Sequence, residues 1–176
     1  SFLSIEGMYK YIFHACLNKN QEFLFSFFEL DSLYIFDLDG KTSSIPLKSK
    51  YKHEKIKYPK DLDIFDVAIR EEASSKTVGY YNHYYDSYRN QYYIIVKKEY
   101  IYENEDGTYN KSADAPWSIL VLNSKLEQVD EIDIPSNYSK HKFFIVPEGI
   151  ALLDENLSKK QINKSVFVIF KIQDYD

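Results

Sequence analysis

A chain of 176 residues with 44% hydrophobic and 28% charged side chains is long enough to bury one domain core and too apolar to stay disordered. Its net charge of -5, with lysines scattered among acids, opposes both nucleic-acid phosphates and anionic membrane surfaces. One cysteine, Cys16, excludes an internal disulfide framework, and no stretch has the length and polarity of a membrane span.

Ser1 is not an initiating methionine, so the chain reads as a processed product or a piece of a longer one. From there, apolar runs of strand length alternate with turn chemistry. The first group is MYKYIFHACL, QEFLFSFFEL, SLYIFDLDGK and TSSIPLK, with turns at Asn18–Asn20, Asp31-Ser32 and Asp39-Gly40. Next, PKDLDIFDVAIREEASSK places Leu62, Phe65 and Ile69 at helical spacing behind Pro59 and Asp61, which predicts one short helix near 60–74. The second group is TVGYYNHYY, NQYYIIVKKEYIY, WSILVLNSKL and EQVDEIDIP. The third is KFFIVPEGIALLD and VFVIFKIQ, joined by a polar loop from Glu155 to Ser165.

An internal repeat links the groups. YIFDLDGKTSSIPL (Tyr34 to Leu47) and ILVLNSKLEQVDEIDIP (Ile119 to Pro135) share an apolar strand, a turn at Asp39 or Asn123, and a strand ending in Ile-Pro. The two turns lie 84 residues apart, twice the roughly 40–45 residues of one propeller blade. VFVIFKIQDYD resembles a third copy of the first strand. The expected fold is therefore all-β, about two and a half to three blades of a β-propeller made of four-stranded antiparallel units. The blades fall at 8–48, 79–136 and, in part, 137–174, with 49–78 as a connecting segment.

DSYRNQYY (Asp86 to Tyr93), then PWSILVLN (Pro116 to Asn123), then FFIVPEGI (Phe143 to Ile150) resemble an uncharacterised family of Bacteroides-type bacteria. That family is a domain of unknown function in exported, often lipid-anchored proteins. The resemblance covers about half of the chain and implies a six-bladed, TolB-like propeller of roughly twice this length with an extracytoplasmic address. Ile94 departs from the family pattern, which has Tyr-Arg after the second tyrosine. No catalytic residue is carried over.

The stretch Gly79 to Val96 holds seven tyrosines around Asp-Ser-Tyr-Arg-Asn. Strict strand alternation puts Tyr81, His83 and Tyr85 on one face and Tyr80, Asn82 and Tyr84 on the other, so that the blade packs aromatics on both sides. Arg89 is one of only two arginines among 22 basic residues, which suggests that its planar fork matters. It is expected to pair with Asp86, stack on a tyrosine and hold the turn. The alternative is a ligand site for a carboxylate or sugar, built from Tyr84, Asp86, Tyr88, Arg89 and Trp117.

Other chemistry finds little support. Asp37-x-Asp39-Gly40 lacks the later ligands of a calcium loop and reads as a hairpin turn. His14, His53, His83 and His141 lack zinc spacing, five scattered glycines build no phosphate loop, and no nucleophile elbow occurs. No catalytic residue, metal or cofactor is assigned. The expectation is an exported, non-enzymatic propeller module that binds a protein or glycan. The alternative is a glycan-acting enzyme or carbohydrate-binding protein with its site at the channel mouth. A third reading is a scaffold whose ring is completed by a second copy.

Overall fold

The computed structural model describes residues 13–18, 20–28, 30–51, 66–161 and 163–175. The first sheet holds β1 (Phe13–Leu17), β2 (Phe23–Phe27), β3 (Ser32–Phe36) and β4 (Thr42–Pro46). The second holds β5 (Gly79–Asp86), β6 (Gln91–Lys97), β7 (Trp117–Leu122) and β8 (Gln128–Ile134). The third holds β9 (Tyr138–Val146), β10 (Gly149–Asp154) and β11 (Phe167–Phe170). Each sheet is an antiparallel meander in chain order, as short turns between successive strands dictate. The protein is thus mostly β, in three antiparallel sheets.

The sheets lie side by side with the second in the middle. β6 is buried along its whole length because its two faces enter two different cores. Tyr92, Ile94 and Val96 pack with Leu24, Leu33 and Leu47 against the first sheet. Tyr93 and Ile95 pack with Trp117, Phe143, Ile150 and Leu152 against the third. The repeat has a structural meaning: Tyr34 to Leu47 spans β3 and β4, Ile119 to Pro135 spans β7 and β8, and the third copy contains β11. These are the third and fourth strands of their sheets.

Two expectations need correction, on the faces of β5 and on the loop after β10, and the predicted helix is described only in part. The faces of β5 do not simply alternate. Tyr80 pairs with Val96 but His83 with Ile94, so β5 advances three residues while β6 advances two. This bulge shifts the alternation by one position. Tyr80 and Tyr85 therefore share the first core, Tyr81 and Tyr84 the second, and His83 turns with Tyr80 to meet Ser26 of the first sheet. The helix α1 is Val67–Ser75, and its N-cap is Asp66, whose carboxylate accepts from the amides of Ala68 and Ile69. The predicted start at Pro59, Asp61, Leu62 and Phe65 lies outside the described residues. Finally, the loop after β10 opens with a second helix, α2 (Glu155–Lys159), because Asp154 accepts from Leu157 N and caps it.

The hairpin turns at Asn18–Glu22, Asp37–Lys41, Asp86–Asn90 and Val146–Gly149 gather at one end of the stack, where Asn18 meets Tyr92 and Arg89 bonds to the carbonyls of Val146, Pro147 and Gly149. The Asp37–Lys41 turn closes through Lys41 N donating to Asp37 Oδ1 at 2.8 Å, with Gly40 in the left-handed region. The helices and the long connection from Lys98 to Pro116 lie at the opposite end.

Candidate functional site

The Asp86–Asn90 turn is built around one buried carboxylate. Asp86 Oδ1 accepts from the amides of Tyr88 (2.9 Å) and Arg89 (3.2 Å), which folds the backbone into a tight side-chain-capped turn. Asn90 then takes a positive φ of 51°, and its amide oxygen accepts from the Tyr85 hydroxyl. Asp86 Oδ2 faces the Tyr93 hydroxyl at 2.8 Å and Arg89 Nε at 2.8 Å. Burial pushes the Tyr93 phenol well above its ordinary range, so it serves as a neutral O–H donor.

The other end of the Arg89 fork leaves the second sheet. Nη1 donates to Pro147 O at 2.8 Å, and Nη2 donates to Val146 O and Gly149 O at 3.0 and 3.2 Å. Those carbonyls form the β9–β10 turn of the third sheet. The expected Asp86–Arg89 pair is present. In place of stacking on a tyrosine ring, Arg89 makes an edge contact with the Tyr93 hydroxyl at 3.5 Å. Gly149 completes the joint: at φ 151°, a Cβ there would lie 1.9 Å from Phe170 O of β11.

The five candidate residues do not form one cluster. Asp86 and Arg89 are buried in the joint, while Tyr88 stands at the tip of the turn, 59% exposed. Tyr84 stacks on Phe143 at 4.2 Å between the second and third sheets. Trp117 lies at the far end of β7, opposite Lys97, and its indole N–H donates to Tyr138 O at 3.1 Å.

That far end holds polar groups that the sequence reading did not single out. Lys97, fully buried, donates from Nζ to Ser74 O and Thr77 O at 2.7 Å each and to Lys98 O at 3.2 Å, closing the C-terminal end of α1. Burial, then the charge of Lys140, lowers it to about 7. Lys140 likewise donates to Ser112 O, Ala113 O and Ala115 O beside a cavity of about 200 Å³ lined by Asp114, Trp117, Tyr138 and Glu155, and burial lowers it to about 8. Glu131 accepts from Ser49 Oγ, Lys50 N and Ser118 Oγ, tying the segment after β4 to the second sheet. Cys16 packs against the first core, where burial raises its thiol to about 12 and so holds it un-ionised. Among the described residues no group of His, Cys, Asp and Glu could hold a metal ion, and no helix is long and apolar enough to cross a membrane.

The chain is similar to a crystal structure of a member of the DUF4221 family from Bacteroides vulgatus, with a TM-score of 0.71 and 25% sequence identity. The match covers 93% of this chain and 46% of the other, so the chain spans about half the length of that structure. No protein-family model and no curated protein matches the chain. The solved neighbour belongs to an uncharacterised family of the Bacteroides type.

Proposed function

We propose that the chain is a propeller-type module that acts by binding rather than by catalysis. The observation that carries this reading is the middle sheet, whose β6 and β7 are buried throughout between two neighbouring meanders. An arrangement of this kind grows sideways by adding sheets, as blades do. The solved neighbour of about twice the length supports a body of six such sheets, of which this chain supplies three. Asp86 and Asp154, both buried, lie at opposite ends of the stack, and each is occupied with turn amides or helix capping. Hydrolysis of a glycosidic bond needs two carboxyl groups held about 5–10 Å apart in a cleft.

In this reading the turn end is the binding end. Tyr88 offers its ring to a protein or glycan partner, and Asp86 and Arg89 fix the turn that presents it. A TolB-like ring, export and an extracytoplasmic address, with or without a lipid anchor, belong to the same proposal and rest on the family resemblance. Calorimetric titration with a panel of oligosaccharides and peptides bearing free carboxylates tests it. The expected result is binding that Tyr88→Ala abolishes while the melting temperature is unchanged. Cleavage of any glycan in the panel would favour the glycan-acting enzyme instead.

A further inference from the structure

We propose that the cavity of about 200 Å³ between the second and third sheets, at the end away from Tyr88, binds a small hydroxylated ammonium compound, an amino alcohol or amino sugar. This site is independent of the turn end. Its lining comes from the second and third sheets and the segments joined to them.

Four elements build it. The connection after β6 supplies Asp114, β7 supplies Trp117, β9 supplies Tyr138 and Ser139, and α2 supplies Glu155. Trp117 opens β7 and Tyr138 opens β9, and the indole N–H bond to Tyr138 O at 3.1 Å holds the two strand starts together. Lys140, 4% exposed, fastens the remaining wall. Its ammonium donates to Ser112 O, Ala113 O and Ala115 O, which ties the loop carrying Asp114 to β9. The walls are thus preformed, as small-molecule sites usually are.

The groups left over at the wall say what fits. Lys140 is not among them: three carbonyls use its three N–H donors, so it has no hydrogen bond to offer an anion. The carboxylates of Asp114 and Glu155 take no hydrogen bond or ion pair among the described residues, though both act on the Lys140 charge through space. Two carboxylates against one ammonium leave one net negative charge, and a ligand with one positive charge complements it. A second, neutral group lies beside them. Ser139 is 9% exposed, and its hydroxyl lines the cavity with no partner among the described residues. A buried hydroxyl left unbonded is costly, and a ligand hydroxyl satisfies it. Size narrows the class further. The volume is below the roughly 300–1,000 Å³ of drug-sized pockets and well above what one ion or water needs.

Trp117 is the only tryptophan in the chain, so its fluorescence, excited where tyrosine does not absorb, reports on this cavity. Titration of the full chain with ethanolamine hydrochloride and with glucosamine hydrochloride should give a saturable change for at least one of them. Glucose and N-acetylglucosamine, which lack the charge, should give none. Asp114→Asn and Glu155→Gln should each weaken binding about tenfold, and Ser139→Ala about fivefold. The two carboxylates hold no bond in the fold, so their variants should keep the melting temperature. Tyr88→Ala should leave the titration unchanged, so this site and the turn-end reading stand or fall separately. No saturable change with either amine, an equal response to N-acetylglucosamine, or an affinity unaltered by both carboxamide variants would each overturn the proposal.

Discussion

The two seams between sheets are joined by different physics. The first, between sheets one and two, is an aliphatic and tyrosine core with a backbone bond from Tyr80 N to Phe28 O at 2.9 Å and a Ser26–His83 contact at 3.1 Å, and its polar ties to Glu131 and Asp133 come from the segment after β4 and not from the sheet itself. Its closest approach is steric: Phe28 packs over Gly79, where a Cβ would come within 2.1 Å of the ring. The second seam adds a charged joint, Arg89, held by Asp86 and bonded to three carbonyls of the next sheet. Packing alone sets only a distance between sheets, since hydrophobic attraction has no direction. A planar fork that meets several carbonyls also sets rotation and register. The tyrosine-rich turn at the start of the second seam is therefore a joint first, and only its tip, Tyr88, is surface.

The sharpest way to break the comparison is to remove the joint. Arg89→Ala leaves Asp86 buried without its cation and strips three carbonyls of their donor, and a loss of about 3–5 kcal/mol is expected in urea unfolding. Arg89→Lys should recover only part of it, because an ammonium cannot reproduce the fork. The matching cut in the first seam is Gly79→Ala, where overpacking against Phe28 should cost about 1–3 kcal/mol. If Gly79→Ala proved the more damaging, the assignment of a packed seam and a clamped seam would be reversed.

Most of this was readable before the fold was known. Short apolar runs and turn residues placed the strands, and the repeat placed equivalent strands of successive sheets. The pairing of Arg89 with Asp86 followed from a rare arginine three residues from an acid. Its reach to Val146, Pro147 and Gly149 did not, because it spans 57 to 60 residues of chain and joins a side chain to bare carbonyls, which carry no residue signature. The bulge at Tyr81-Asn82 was hidden for a related reason. An extra residue in a strand of near-uniform tyrosines leaves the apolar pattern unchanged, so the faces could be counted only from the pairing with β6. Lys97 gave one faint hint, as a lysine ending the fully buried run of β6.

Lys97 lies where the two seams converge, its ammonium 5.8 Å from the Phe28 ring centre and its pKa lowered by burial and then by the charge of Lys140 of the third sheet. Its folded value of about 7 lies below the ordinary 10.5, so between those values the unfolded chain binds more protons. Stability should then rise with pH from about 7 toward 10, where the raised tyrosines begin to act in the opposite sense. The carbonyl cage favours the charged form, so the slope should stay below the roughly 1.4 kcal/mol per pH unit of one fully displaced proton. Unfolding followed at several pH values should show a shallower rise for Lys97→Met, with the remainder due to Lys140.

The smallest expected effect is the most informative about the first seam. Ser26 Oγ and His83 Nε2 form a buried polar contact across it, with His83 placed there by the bulge in β5. Ser26→Ala removes one hydroxyl and one hydrogen bond with almost no change of shape, for which about 1 kcal/mol is usual. A loss of that size would show that the seam depends on its apolar packing and that the contact merely satisfies two buried polar groups. A loss approaching that of Arg89→Ala would show instead that the first seam is also set by a directional bond, with the bulge as the device that aims it.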